Sequence, residues 1–175
     1  MKEQEKKEEM TIFDGFGAYV IAKDYIQSGY EFCPTAQVKF FTLEDDIAEE
    51  LAILHLSQGF SLSDEAQKEM FKLPQERTER IVIKMLEQGF NLNEEILPQI
   101  AELPQGNIIL ESYYLSSDRV FSDEAQKLLI TLPKLKETAQ KFIHMNKKAP
   151  HRLSPALQDY AQKHGWLRTP MQKVN

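Results

Sequence analysis

The sequence predicts an all-α protein, a right-handed α-solenoid of about five helical-hairpin repeats, each ~30 residues long. Three observations carry that expectation. The six residues "SDEAQK" occur twice, at 63–68 and at 122–127. The stretch "GFSLSDEAQKEMFKLPQE" from Gly59 has counterparts thirty residues to either side, "GYEFCPTAQVKFFTLEDD" from Gly29 and "GFNLNEEILPQIAELPQG" from Gly89. A fourth copy, "DRVFSDEAQKLLITLPKL", starts at Asp118 and a degraded fifth, "PHRLSPALQDYAQKHGWL", at Pro150. Within each copy the apolar residues recur at offsets of four and three, which is one stripe on a helix. Self-similarity at a fixed period is the mark of a stacked repeat array, in which no single hairpin buries its own apolar face. The repeats are placed at 18–46, 47–76, 77–106, 107–135 and 136–166, within one domain spanning 11–166.

The elements follow in chain order. The highly charged residues 1–10 are expected to be a flexible N-terminus, and 167–175 a tail. Each repeat opens with a longer helix, as in "ELAILHLSQ" (50–58) and "ERIVIKMLEQ" (79–88). Its apolar positions cluster at helical spacing: Ile21, Ala22, Tyr25 and Ile26; Leu51, Ala52 and Leu56; Ile81, Val82, Met85 and Leu86. Gly29, Gly59 and Gly89 stand where a left-handed residue ends such a helix. An apolar residue comes next (Phe32, Leu62, Leu92, Phe121, Leu153), followed by a cap type, Ser63, Asn93, Ser122 or Ser154, with Cys33 in the first copy. Acids or Pro at the following position (Pro34, Asp64, Glu94, Asp123, Pro155) suit the first turn of a short helix. Its apolar columns are 36/66/96/125/157, 40/70/100/129/161 and 43/73/103/132. Leu-Pro at Pro74, Pro104 and Pro133 closes it and opens the next helix. Pro98 is expected to kink the third short helix. The run "NIILESYYL" is β-like in composition, but its register in the repeat makes it helix. Trp166 and Leu167 are expected to fold back after Gly165 and cap the array.

The 175 residues, 42% apolar and 27% charged, suffice for a sizeable core. A single cysteine, Cys33, cannot make an internal disulfide. There is no secretory h-region and no apolar run of membrane-spanning length, so the expected location is the cytoplasm, or secretion as an effector without a cleavable signal. The net charge of −6 is uneven: residues 1–50 carry five Lys/Arg against twelve Asp/Glu, while residues 134–175 carry nine against two.

Catalytic and cofactor signatures are missing: no GxGxxG, phosphate loop, HExxH, CxxC or GxSxG occurs. No catalytic residue, cofactor or metal site is therefore assigned. His144 and His151 are seven apart in a basic region that offers no carboxylate partners. Cys33 stands in the cap column and reads as a substitution. The acid pairs Asp45/Asp46 and Glu49/Glu50 fall at a repeat boundary, where solvated charge is the expectation. Two columns are candidate protein-binding residues. Gln37, Gln67, Gln126 and Gln158, interrupted by Leu97, either form an inter-repeat hydrogen-bond ladder, lie in solvent, or present amides to an extended ligand. Tyr25, His55, Met85 and Tyr114 either pack between repeats or line a concave groove with polar tips outward. Lys141, Lys147, Lys148 and Arg152 form the one segment that suggests phosphate contacts.

The opening "LSDEA" of the short helix resembles the start of the DNA-reading repeats of plant-pathogen transcription activator-like proteins. The resemblance covers a few residues per repeat and lacks their paired base-reading residues, so no function is carried over. The expectation is a non-enzymatic protein- or peptide-binding helical-repeat module, an adaptor, chaperone-like factor or bacterial effector. The alternative is nucleic-acid binding through the basic C-terminal end.

Overall fold

The computed structural model describes Phe13 and residues 17–116 and 119–167. The sequence reading of 1–10 and of most of the tail falls outside these. Among the described residues there are ten α-helices, four short 3-10 helices and no strand. The chain divides into two compact units, 1–104 and 105–175, where the sequence reading takes one domain.

In the first unit α1 (Ala18–Gln27), α3 (Asp45–Ser57) and α5 (Gln75–Glu87) are the long helices. They alternate with α2 (Pro34–Phe40), α4 (Asp64–Glu69) and α6 (Leu97–Ala101). Helix α3 packs against α1 on one side and α5 on the other, while α2 packs against α4. The second unit repeats this step of two. It comprises α7 (Gly106–Leu115), α8 (Asp123–Thr131), α9 (Lys136–Met145) and α10 (Pro155–Lys163), with α9 against α7 and α10 against α8.

Local chemistry accounts for the element ends. Ser63 Oγ accepts the Ala66 N–H, Ser122 Oγ that of Ala125 and Ser154 Oγ that of Leu157, each satisfying one orphan donor of a helix start. Asn93 caps Glu95 in the same way. Cys33 makes no side-chain cap, and Pro34 takes the first turn instead. At the other end of α3, the Gly59 N–H reaches Leu56 O and the Phe60 N–H reaches His55 O, the paired bonds of a Schellman turn. Gly29 and Gly89 close α1 and α5 identically. Pro98 does not kink a continuous helix. It sits in the first turn of α6, and a separate 3-10 turn, Glu94–Ile96, precedes it. Splitting the element removes the clash that a mid-helix proline ring makes with the preceding turn.

The aligned apolar columns form the core: Phe32, Leu62, Leu92, Phe121 and Leu153 are all buried, as are Ala36, Ala66, Ile96, Ala125 and Leu157. Tyr25, Leu43, Leu86 and Leu132 are only half-buried, and one residue of the apolar stripes is exposed. Ile21 is exposed although its counterparts Leu51 and Ile81 are fully buried, because α1 has no preceding long helix among the described residues to cover that position. Trp166 folds back as expected, its N–H on Ala161 O at 2.8 Å and its ring 5.6 Å from that of Tyr160.

Gly59 has φ +87°, and a Cβ there would meet nothing within 4 Å, so backbone conformation alone selects glycine. Gly59→Ala is expected to lower unfolding free energy by about 1–2 kcal/mol in urea melts with the slope unchanged.

Candidate functional site

The four glutamines sit on α2, α4, α8 and α10, four residues after the cap. Gln37 Nε2 donates to Phe32 O at 2.8 Å, while its Oε1 accepts the Ser63 N–H of the next hairpin at 2.7 Å. Gln67 bonds Leu62 O at 3.0 Å and accepts the Asn93 N–H at 2.8 Å. In the second unit Gln126 bonds Phe121 O and Arg152 O, both at 3.0 Å, and accepts the Ser154 N–H at 2.7 Å. These three are buried, with both ends of the amide occupied by backbone. Gln158, half-exposed, keeps the bond to its own hairpin, Leu153 O at 2.7 Å. Gln37, Gln67 and Gln126 therefore each bridge one hairpin to the next, and Gln158 does not. The pair closing "SDEAQK" splits: Gln67 turns inward, and Lys68 stays in solvent 2.5 Å from Glu95.

In the second column, three of the four residues lie in the core. His55 and Met85 are fully buried, Tyr114 nearly so, and Tyr25 is half-buried against Tyr30 and Phe32. The Tyr114 hydroxyl donates to Ala125 O at 2.6 Å.

Of the basic residues, Lys141 Nζ lies 2.8 Å from Glu111 and 3.1 Å from Glu137, which hold its proton more tightly than usual. Lys147 and Lys148 are exposed, and Arg152 is half-buried. Among the described residues no three His, Cys, Asp or Glu side chains are grouped to hold a metal, and no helix is long and apolar enough to cross a membrane.

The acid pair Glu49/Glu50, expected as solvated charge, instead forms a bonded cluster on α3, because arginines of α5 and a lysine of α1 reach it. Glu49 is buried and receives Arg77 Nη1 at 2.7 Å and Arg80 Nη2 at 2.8 Å from α5, with Arg80 Nε on its other oxygen. The Arg80 bond, ahead of that from Arg77, holds this carboxyl below the usual carboxylate range against the opposing effect of burial. Glu50 turns the other way, to the Tyr19 hydroxyl at 2.6 Å and Lys23 Nζ at 2.7 Å on α1. Adjacent carboxylates thus tie α3 to both neighbours. The signal was present as opposite charges 27–31 residues apart, which is one repeat, and Glu111 with Lys141 repeats it in the second unit. Beside these carboxylates the exposed side of α3 forms a shallow, open cleft, lined by Asp46, Glu49, Glu50, Ile53, Leu54 and Ser57 of this one helix. Its floor is aliphatic and its rim acidic.

No protein-family model, curated protein or solved structure matches this chain.

Gln67→Leu, which places in repeat two the residue that position 97 carries naturally, strips partners from the Asn93 N–H and Leu62 O. It is expected to cost about 2–4 kcal/mol in urea unfolding, and Gln158→Leu well under half of that. Glu49→Gln leaves two guanidinium groups without their acceptor charge. It is expected to cost about 1–3 kcal/mol at low salt, and less when salt is raised tenfold.

Proposed function

We infer that this protein is a non-enzymatic binding module in which the hairpins form a right-handed solenoid of five repeats and the first unit docks a protein or peptide segment on the exposed face of α3. The cleft over Ile53 and Leu54 carries this reading. An aliphatic floor rewards burial of apolar side chains at roughly 25 cal/mol per Å². Asp46 at the rim favours a cationic partner, while Glu50 beside it is already held by Lys23. The unit around it is strongly acidic, with 21 Asp/Glu against 10 Lys/Arg in residues 1–104. A basic amphipathic helix, presenting aliphatic residues at i, i+3 and i+4 with lysines beside them, has the complementary chemistry, and the surrounding field speeds its encounter.

A second reading, nucleic-acid binding, draws on the opposite balance of residues 105–175, with 11 Lys/Arg against 6 Asp/Glu, and on the exposed Lys147 and Lys148. Lys141 is already shared between two glutamates, which leaves fewer cations for phosphates.

The test is fluorescence anisotropy with a labelled Leu/Lys helical peptide of about 18 residues, an acidic Leu/Glu peptide of the same pattern, and a single-stranded oligonucleotide. The basic peptide is expected to bind and to lose affinity about tenfold or more on Leu54→Lys. Equal binding of the acidic peptide, or no effect of Leu54→Lys, would remove the cleft as the site. Salt-sensitive oligonucleotide binding that disappears in Lys147→Glu/Lys148→Glu would favour the second reading.

A further inference from the structure

Helix α3 has a second face, and on it lies His55. The side chain is fully buried, and neither Nδ1 nor Nε2 has a hydrogen-bond partner. Its ring packs edge-on to Phe40 at 5.7 Å and beside Phe60 at 5.3 Å. Buried polar groups are nearly always paired, and a neutral imidazole carries one N–H that needs an acceptor. The repeat supplies its own comparison. The same position holds Met85 in the third hairpin, with no polar hydrogen to satisfy, and Tyr114 in the fourth, whose hydroxyl is satisfied by Ala125 O. Only in the second hairpin does the position hold a titratable ring without a partner.

We propose that His55 is an acid-operated release point for α3: its protonation opens this helix and takes down the docking face built on it. A charged imidazolium between Phe40 and Phe60 would be shut off from bulk solvent, and opening the helix restores its hydration. Titratable groups on the neighbouring helices include Tyr19, Lys23 and Tyr25 on α1 and Arg77, Arg80 and the buried Glu79 on α5; Tyr19, Lys23, Arg77 and Arg80 reach α3 at Glu50 and Glu49. Those four contacts lie on its other face, and α2 offers the phenyl ring of Phe40. Burial pushes the imidazole down to about 4, with only the Ser61 carbonyl acting in the opposite direction. That carbonyl makes no hydrogen bond of good geometry with the ring. The folded value is depressed below the ordinary 6.5, so the stabilisation is complete above 6.5 and falls away as pH drops from 6.5 through about 4. In the open helix His55 regains its ordinary affinity for the proton. Between pH 7.5 and pH 5 the equilibrium between open and closed α3 therefore shifts roughly thirtyfold toward open.

The opening itself does not depend on the docking reading, whereas its consequence for binding does. The experiment is amide hydrogen exchange resolved along α3, at pH 7.5 and 5 and corrected for the intrinsic rate, on the full chain and on His55→Met. Protection of 48–57 is expected to fall about thirtyfold in the wild type and to stay level in His55→Met. Equal pH response in the two proteins overturns the proposal. Carbon-edited NMR titration of the wild-type imidazole keeps the test decisive if the variant does not fold: His55 titrating at its ordinary 6.5 also overturns it. A basic peptide that never binds at any pH removes the docking reading and leaves the exchange result intact.

Discussion

The turns that join long and short helices carry backbone groups that neither helix can satisfy, and in this protein the last residue of each turn before the cap, Phe32, Leu62 or Phe121, is buried. The carbonyl before each cap and the N–H of the next cap residue both need partners inside the protein, and an unpaired buried group costs as much as a hydrogen bond gains. Glutamine has the reach to serve both. Its amide nitrogen turns back to the carbonyl five residues earlier, and its oxygen takes the N–H of the following hairpin, as Gln37, Gln67 and Gln126 do. Spacing between hairpins is thereby set by a rigid polar contact as well as by side-chain packing, which alone tolerates slippage. The third hairpin lacks this glutamine, carrying Leu97 instead, and it is also the hairpin whose short helix is divided by a 3-10 turn.

The layer of long helices is joined by a different interaction. Glu49 and Glu50 are neighbours in sequence, about 100° apart around the helix, so they reach α5 and α1 respectively. Their chemistry differs with burial. Glu49 is shielded and held by two guanidinium groups, a geometry in which a charged hydrogen bond contributes substantially. Glu50 and Lys23 are exposed, and solvent screens most of their attraction. The acidic surplus of the first unit is therefore only partly neutralised by its own cations, and the exposed side of α3 combines the remaining charge with Ile53 and Leu54.

Repetition also makes each hairpin a control for the others. At one position of the long helix the chain uses Tyr, His, Met and Tyr, and the surroundings treat the four differently: half-buried among rings, buried without a partner, buried and apolar, buried with its hydroxyl bonded. All four stand on α-helices, and they differ both in side-chain chemistry and in the neighbours that cover them. A hydroxyl that finds a carbonyl is compatible with the core, and an imidazole that finds none retains stability only while it is neutral.

"SDEAQK" shows where legibility ends. Ser63 as cap, Asp64 and Glu65 in the first turn, and Ala66 in the core follow from sequence alone, because each depends on local backbone geometry or on helical period. The all-α character, the glycine-closed long helices and the buried columns follow for the same reason. Gln67 does not: an amide is equally at home in solvent, and its inward turn is decided by the carbonyl of Leu62 and the N–H of Asn93, which only a stacked neighbour brings within reach. The burial of His55, the exposure of Ile21 and the division at 104/105 likewise depend on which helix lies alongside which. Local periodicity and capping chemistry are written in the order of the residues, whereas partners across hairpins exist only once the chain has folded.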